Sequence, residues 1–169
     1  MNIKKKIICL SLIAVALTGC TIKYAFNDLS IHEDVKTFTI PFFPNSAAMV
    51  TPTLSATFTD MLQQKFINGT KLEMVDDGGD LMLEGEITGY SSTPTAVTAD
   101  EYATRNRLTI TVRVKYTNQI EPNTNFNKSF SAYEEYDSGR MLTDAEGELI
   151  PIIVEKLVDD IFSAALSNW

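Results

Sequence analysis

Strict alternation of apolar and polar residues is the strongest pattern in this chain. It is cleanest from Arg105 to Asn118. Leu108, Ile110, Val112, Val114 and Tyr116 fall on one side, and Arg105, Arg107, Thr109, Thr111, Arg113 and Lys115 on the other. That period of two predicts a strand buried on one face only. Leu81 to Tyr90 alternates in the same way, with Leu81, Leu83, Gly85, Ile87 and Gly89 opposite Met82, Glu84, Glu86, Thr88 and Tyr90. Its two glycines fall on the apolar side, where a crossing helix is expected to approach closely. Shorter strands are predicted over 35–40, 71–75 and 126–133, the first stopped by Pro41.

Two stretches change to helical spacing. Leu54, Phe58, Met61, Leu62 and Phe66 share one face after Thr51-Pro52, which reads as a capping hydroxyl followed by a first-turn proline. Asn68-Gly69 ends that stretch with residues that accept a left-handed conformation. Leu149, Ile150, Ile153, Leu157, Ile161 and Ala164 or Ala165 form a second stripe, opened by a capping box at Thr143 and Glu146. Pro151 inside it removes the bond to the Gly147 carbonyl and predicts a kink.

Between these elements lie three informative connections. Pro41-Phe42-Phe43-Pro44-Asn45 is stiff and apolar, and its phenylalanines either cap the core or stand out as an anchor for a partner protein. Asp76-Asp77-Gly78-Gly79-Asp80 reads as an acidic hairpin turn, since it lacks the ligand spacing of a calcium loop. Ser91 to Thr104 reads as a long irregular loop.

The predicted fold class is α+β: two helices packed on one face of a mixed, mostly antiparallel four- to five-stranded sheet. The other sheet face stays polar and open. On it, Arg105, Arg107, Arg113 and Lys115 form a basic stripe. It either pairs with Glu84 and Glu86 on a neighbouring strand or meets an anionic ligand or partner.

Before the first strand the chain reads differently. Lys4, Lys5 and Lys6 precede an apolar run from Ile7 to Leu17, too short to span a bilayer, and then Leu17-Thr18-Gly19-Cys20. This resembles the lipobox of bacterial lipoproteins and marks 1–19 as a signal, Cys20 as the lipid attachment site, 20–34 as a tether and 35–169 as one domain. The plainer alternatives are an ordinary signal with an incidental cysteine and a short membrane anchor. Within the tether, Lys23-Tyr24-Ala25-Phe26 is expected to dock on the body, and Trp169 to pin the other end.

The first 19 residues hold three of the 14 bases and none of the 22 acids, leaving 11 against 22, a net charge of −11. Such a balance argues against nucleic acid as a partner. The two cysteines are Cys9 and Cys20, so no disulfide is expected after cleavage. His32 is the sole histidine, with no cysteine, second histidine or compact carboxylate cluster to join it, so neither a metal site nor a Ser-His-Asp set is predicted. Glu84 and Glu86 read as solvated strand carboxylates rather than a catalytic pair. No catalytic residue, cofactor or metal is assigned, and the chain reads as a non-enzyme.

Several runs carry a resemblance to the Bacteroidetes branch of the lipopolysaccharide-assembly lipoproteins, the LptE family. They are Cys20 with Tyr24-Ala25-Phe26, the segment 35–45, Pro52-Thr53-Leu54-Ser55, the segment 84–90, the segment 107–112, and 157–162 with terminal Asn168-Trp169. Pro151 departs from the unbroken helix expected of that family. The resemblance implies an outer-membrane lipoprotein on the periplasmic face or in a barrel lumen. There it would plug a large LptD-type β-barrel translocon, help it assemble and help deliver lipopolysaccharide to the surface. It leaves the basic stripe as the candidate contact with lipopolysaccharide or the barrel. The alternative is a lipid-anchored scaffold or binding module of another envelope complex.

Overall fold

The computed structural model describes residues 31–49, 51–95 and 105–166. The signal, Cys20, most of the tether, part of the expected loop and Trp169 lie outside them. The described chain runs β1 (Thr37–Thr39), α1 (Leu54–Gly69), β2 (Glu73–Met74), β3 (Leu81–Pro94), β4 (Arg105–Asn118), β5 (Phe126–Asp137) and α2 (Leu142–Leu166). The strands form one sheet in the order β2-β1-β3-β4-β5. β1 is parallel to both neighbours, and the β3–β4 and β4–β5 pairs are antiparallel. Both helices cover one face, so the α+β architecture is as expected.

The core lies between helices and sheet. Leu54, Phe58, Leu62 and Phe66 of α1 are fully buried, and so are Leu108, Ile110, Val112 and Val114 of β4. Phe66 packs against Phe38 of β1, with ring centroids 5.5 Å apart, and edge-on against Phe162 of α2 at 5.1 Å. One ring therefore joins all three layers of contact. A Cβ on Gly69 would sit 2.6 Å from the Phe162 ring. The glycine that ends α1 thus makes room for the other helix. It has no positive φ, so the expected left-handed cap is not formed. The other expected caps are not made either. The residue before α1 is Thr53, with no side-chain capping bond, and the Thr51 hydroxyl points to Glu146 instead. α2 runs unbroken across Pro151. Gly147 is exposed, so the carbonyl freed by Pro151 is open to water.

The segment 75–80 is not a hairpin turn. β2 and β3 lie on opposite sides of β1, so the chain crosses over β1 on the face away from the helices. The Thr39 hydroxyl donates to the Val75 carbonyl and accepts from the Gly79 N–H. A Cβ on Gly79 would meet the Phe38 backbone at 2.7 Å, so only glycine fits at the crossing. Asp80 closes the crossover by accepting the N–H groups of Lys36 and Thr37 and the Thr37 hydroxyl, each at 2.9 Å. These bonds, the Lys36 N–H first, hold its carboxyl below the usual carboxylate range. A carboxyl with a depressed folded pKa stabilises above its unfolded pKa, and that stability is lost as pH falls through the folded value. We expect Asp80→Asn to unfold at lower temperature near neutral pH. The gap to the unmodified chain should close as pH falls, and calorimetry across the acid range checks this.

β3 departs from simple alternation. Ile87 pairs with Val112 but Gly89 pairs with Thr111, so Thr88 is an extra residue in the ladder. The bulge reverses the facing of everything after it. Tyr90 is buried toward the helices, and Gly89 lies beside Thr111 rather than under a helix. Close approach at Gly85 comes from the Phe43 ring and the Arg113 carbonyl, again not from a helix. Ser91–Pro94, expected as loop, continue the strand and pair with 106–109. The described hairpin therefore extends far from the end where Leu81, Asn118 and Leu166 meet Ile31 around a cleft of about 310 Å³.

Candidate functional site

The open face of β4 is where the sequence places the basic stripe. Strand geometry puts Arg105, Arg107, Arg113 and Lys115 on one side because they share parity, opposite the buried Leu108 to Tyr116 set. The register then decides their partners. Arg113 lies across from Glu86, with Nη1 3.4 Å from Oε1, and Lys115 across from Glu84 at 3.2 Å. Arg107 faces the other neighbour and donates to Glu135 at 2.8 Å. Its guanidinium also lies over the Tyr133 ring, 4.0 Å from the centroid. The Glu135 bond raises the pKa of Arg107, which stays charged throughout. Arg105 makes no ion pair among the described residues.

Cross-strand pairing therefore accounts for three of the four bases. Glu135 is not anticipated as the partner of Arg107, because the sequence pattern ends β5 at Tyr133. Each pair is partly exposed and contributes at most about 1 kcal/mol, so an incoming anion can displace the carboxylates at small cost. The result is a polar wall of alternating charge with Thr109, Thr111, Ser129 and Ser131 between the ions. Ser46 reaches the same wall and donates to Glu86 at 2.7 Å.

The two phenylalanines separate. Phe43 is fully buried, packs on Phe58 at 5.1 Å and has its N–H bonded to the Thr59 hydroxyl. It caps the core and is not an exposed anchor. The reason is Gly85, whose missing side chain opens the space that the ring fills. Phe42 points the other way and is 62% exposed.

Behind the sheet, Tyr90 and Glu146 form a second polar feature. The Tyr90 hydroxyl donates to Glu146 Oε1 at 2.6 Å, and the Thr51 hydroxyl approaches the same oxygen at 3.4 Å. Burial raises the Tyr90 pKa, and the neighbouring carboxylate adds to it. Glu146 is thus used to join α2 to β3 rather than to cap its own helix. Among the described residues no group of three or more His, Cys, Asp or Glu could hold a metal ion. His32 is half-exposed, with Asp34 as its neighbour. No described helix is long and apolar enough to cross a membrane.

Comparison with solved structures finds a similar fold in a protein of Chlamydia trachomatis and weaker likenesses to lipoproteins. A hypothetical protein of Chlamydia trachomatis, CT253, aligns at 11% identity and TM-score 0.53, over 76% of this chain and 94% of its own. A minor lipoprotein of Acinetobacter baumannii aligns at 14% identity and TM-score 0.44, over 76% and 90%. The rare lipoprotein B of Shewanella oneidensis gives 11% and 0.40, over 76% and 90%. The likeness to CT253 extends to the fold alone. No curated protein matches the chain. The family model for lipopolysaccharide assembly matches residues 35–165, from the residues before β1 nearly to the end of α2. A match over that much of the chain, on the fold that the alternation predicted, places this protein in the LptE lipopolysaccharide-assembly family.

Proposed function

We propose that this protein is the lipoprotein subunit of an outer-membrane lipopolysaccharide translocon. In this reading it is anchored through acylated Cys20, sits within a large LptD-type β-barrel, and helps that barrel assemble and pass lipopolysaccharide to the surface. It acts by binding rather than by catalysis. The observation that carries the reading is the uncovered sheet face, with its ladder of paired charges and hydroxyls. Barrel lumens are polar, so a body enclosed in one needs walls that hydrogen-bond and carry both signs of charge. An apolar sheet face would instead demand a helix or a second sheet.

The stripe supplies the anion chemistry. Lipid A phosphates are anionic, and the planar fork of arginine suits phosphate oxygens. Arg105 is the base with no described ion-pair partner, and Arg113 and Lys115 are held only by exposed pairs. Phe42 is the remaining candidate for an apolar partner contact.

The test is to extract the acylated protein from native outer membranes in mild detergent and identify what accompanies it. A stoichiometric large β-barrel is expected; recovery alone, or with another complex, overturns the proposal. Within that complex, Arg105, Arg107, Arg113 and Lys115 changed together to glutamine should weaken lipopolysaccharide binding about tenfold, since each lost phosphate contact removes a charge-assisted bond. The role given to the stripe fails if lipopolysaccharide binding and barrel association are both unchanged.

A further inference from the structure

The cleft of about 310 Å³ at the base of the hairpin contains none of the four bases of the stripe. It lies where the last turn of α2 meets β4 and β5. Its two walls differ in kind. One is apolar: Leu81, Ala165 and Leu166 are buried in it and Ile31 adjoins them. The other is the polar segment 118–128, which carries Asn118, Glu121, Asn125 and Lys128 into the cleft.

The polar wall is fixed by bonds of its own. The Asn118 amide oxygen accepts the N–H groups of Ile120 and Glu121, at 3.0 and 2.9 Å. The Asn125 amide oxygen accepts the Asn118 N–H at 2.6 Å. The Thr124 hydroxyl donates to the Glu121 carbonyl at 2.8 Å, across the short helical turn Pro122–Thr124. Glu121 and both asparagines are therefore set in place by the loop. Their amide oxygens face the backbone, which leaves the amide nitrogens as the donors on this wall. Lys128 is placed as well. Its ammonium lies 5.2 Å from the centroid of the Phe126 ring, which stacks on Tyr116 at 5.1 Å.

The two charges on this wall stand without partners. Among the described residues, neither Glu121 nor Lys128 has an opposite charge within ion-pair distance. Arg107, Arg113 and Lys115 on the same sheet all do. A carboxylate, an ammonium, fixed amide donors and an apolar wall then share one small cleft. Together they suit a ligand with a cationic nitrogen for Glu121, an anionic group for Lys128 and the amides, and an apolar body for the opposite wall. The volume is at the lower end for small-molecule pockets, so the ligand is small.

We propose that this cleft binds a free apolar α-amino acid. Its ammonium pairs with Glu121, its carboxylate with Lys128 and the Asn125 amide, and its side chain lies against Leu81, Ala165 and Leu166. A ligand carrying both charges leaves no ion of the cleft unpaired, whereas one carrying a single charge leaves the other ion without a partner. The inference is independent of lipopolysaccharide and of the barrel, so its failure leaves that reading untouched.

The test titrates L-leucine into the purified protein in mild detergent near neutral pH. The side-chain amide NMR signals of Asn118 and Asn125 report on the cleft. They should shift and saturate, with a dissociation constant of about 1 mM or tighter. Leucinamide lacks the carboxylate and isocaproate lacks the ammonium, and each should bind about tenfold more weakly. Lys128→Gln should weaken leucine about tenfold and leave leucinamide unchanged. Glu121→Gln should weaken leucine about tenfold and leave isocaproate unchanged. Circular dichroism verifies that both variants are folded. Absence of a saturable shift overturns the proposal. So does equal binding of leucine and its two singly charged analogues, or a leucine affinity that neither variant changes. Binding of O-phosphoethanolamine without leucine also overturns it, in favour of a lipid headgroup.

Discussion

Phe66→Ala lowers the unfolding free energy by about 4 kcal/mol, the expected cost of removing a fully buried phenylalanine. The site cannot collapse easily. The ring lies between Phe38 on β1 and Phe162 on α2, and Phe162 is in turn seated against Gly69. Inward movement of any one of these walls would pull a secondary-structure element with it. The Lys65–Asp159 pair, 2.6 Å apart on the surface above, holds the helices at their present spacing and adds little energy of its own. Phe66→Leu should recover about half of the loss by refilling most of the volume. Urea unfolding followed by circular dichroism gives both values. A loss below about 1 kcal/mol for the alanine variant would mean that the helix–sheet packing described above is wrong.

Gly85→Ala is expected to cost about 3 kcal/mol or more, although it adds a single methyl group on the apolar face of β3. A Cβ there would lie 2.0 Å from the Arg113 carbonyl oxygen and 2.7 Å from Phe43 Cε1. The first neighbour is backbone in the ladder of β3 with β4, so relief requires parting the strands. Phe43→Leu in the same chain should recover only the part due to the ring. Partial recovery in the double variant, measured by the same urea transitions, separates the two clashes. Full recovery would show that the strand spacing tolerates the methyl and that only the ring objects.

These two residues also show what could be read from sequence. Phe66 was legible because helical spacing put it in line with Leu54, Phe58 and Leu62, and every one of them is buried. β4 was legible because the residues from Arg107 to Thr117 alternate without interruption. β3 was legible only as far as Ile87. Thr88 adds one residue to the ladder, and nothing in a period of two announces an insertion. Tyr90 was therefore assigned to the wrong face. Ser91–Pro94 looked like loop because the strand there is polar on both sides. The crossover at 75–80 was misread for a related reason. Asp and Gly suit a hairpin turn, and only pairing with β1 reveals that the segment passes over another strand. At the candidate site, Glu84 and Glu86 were found as partners because β3 and β4 adjoin in sequence. Glu135 was missed because strand ends are set by pairing, which the sequence pattern shows weakly.

The helix caps failed together and for one cause. Thr51, Glu146 and Gly69 are all residues that local rules assign to helix ends. Each is used for a contact between elements instead: Thr51 and Tyr90 with Glu146, and Gly69 with Phe162. Local preference was outweighed by contacts between parts of the chain distant in sequence.

The long hairpin of β3 and β4 makes the protein a ruler. From Leu81 to Pro94 at about 3.4 Å per residue it measures about 44 Å, against about 30 Å for the hydrocarbon of a bilayer. Its base lies beside Ile31, so the reach from base to tip is set by counting residues in two strands. A body held at one leaflet with this hairpin along the bilayer normal would present its far end beyond the opposite leaflet. Deleting two residues from each strand shortens that reach by about 7 Å and leaves every side chain on its own face, whereas deleting one turns the wall inside out.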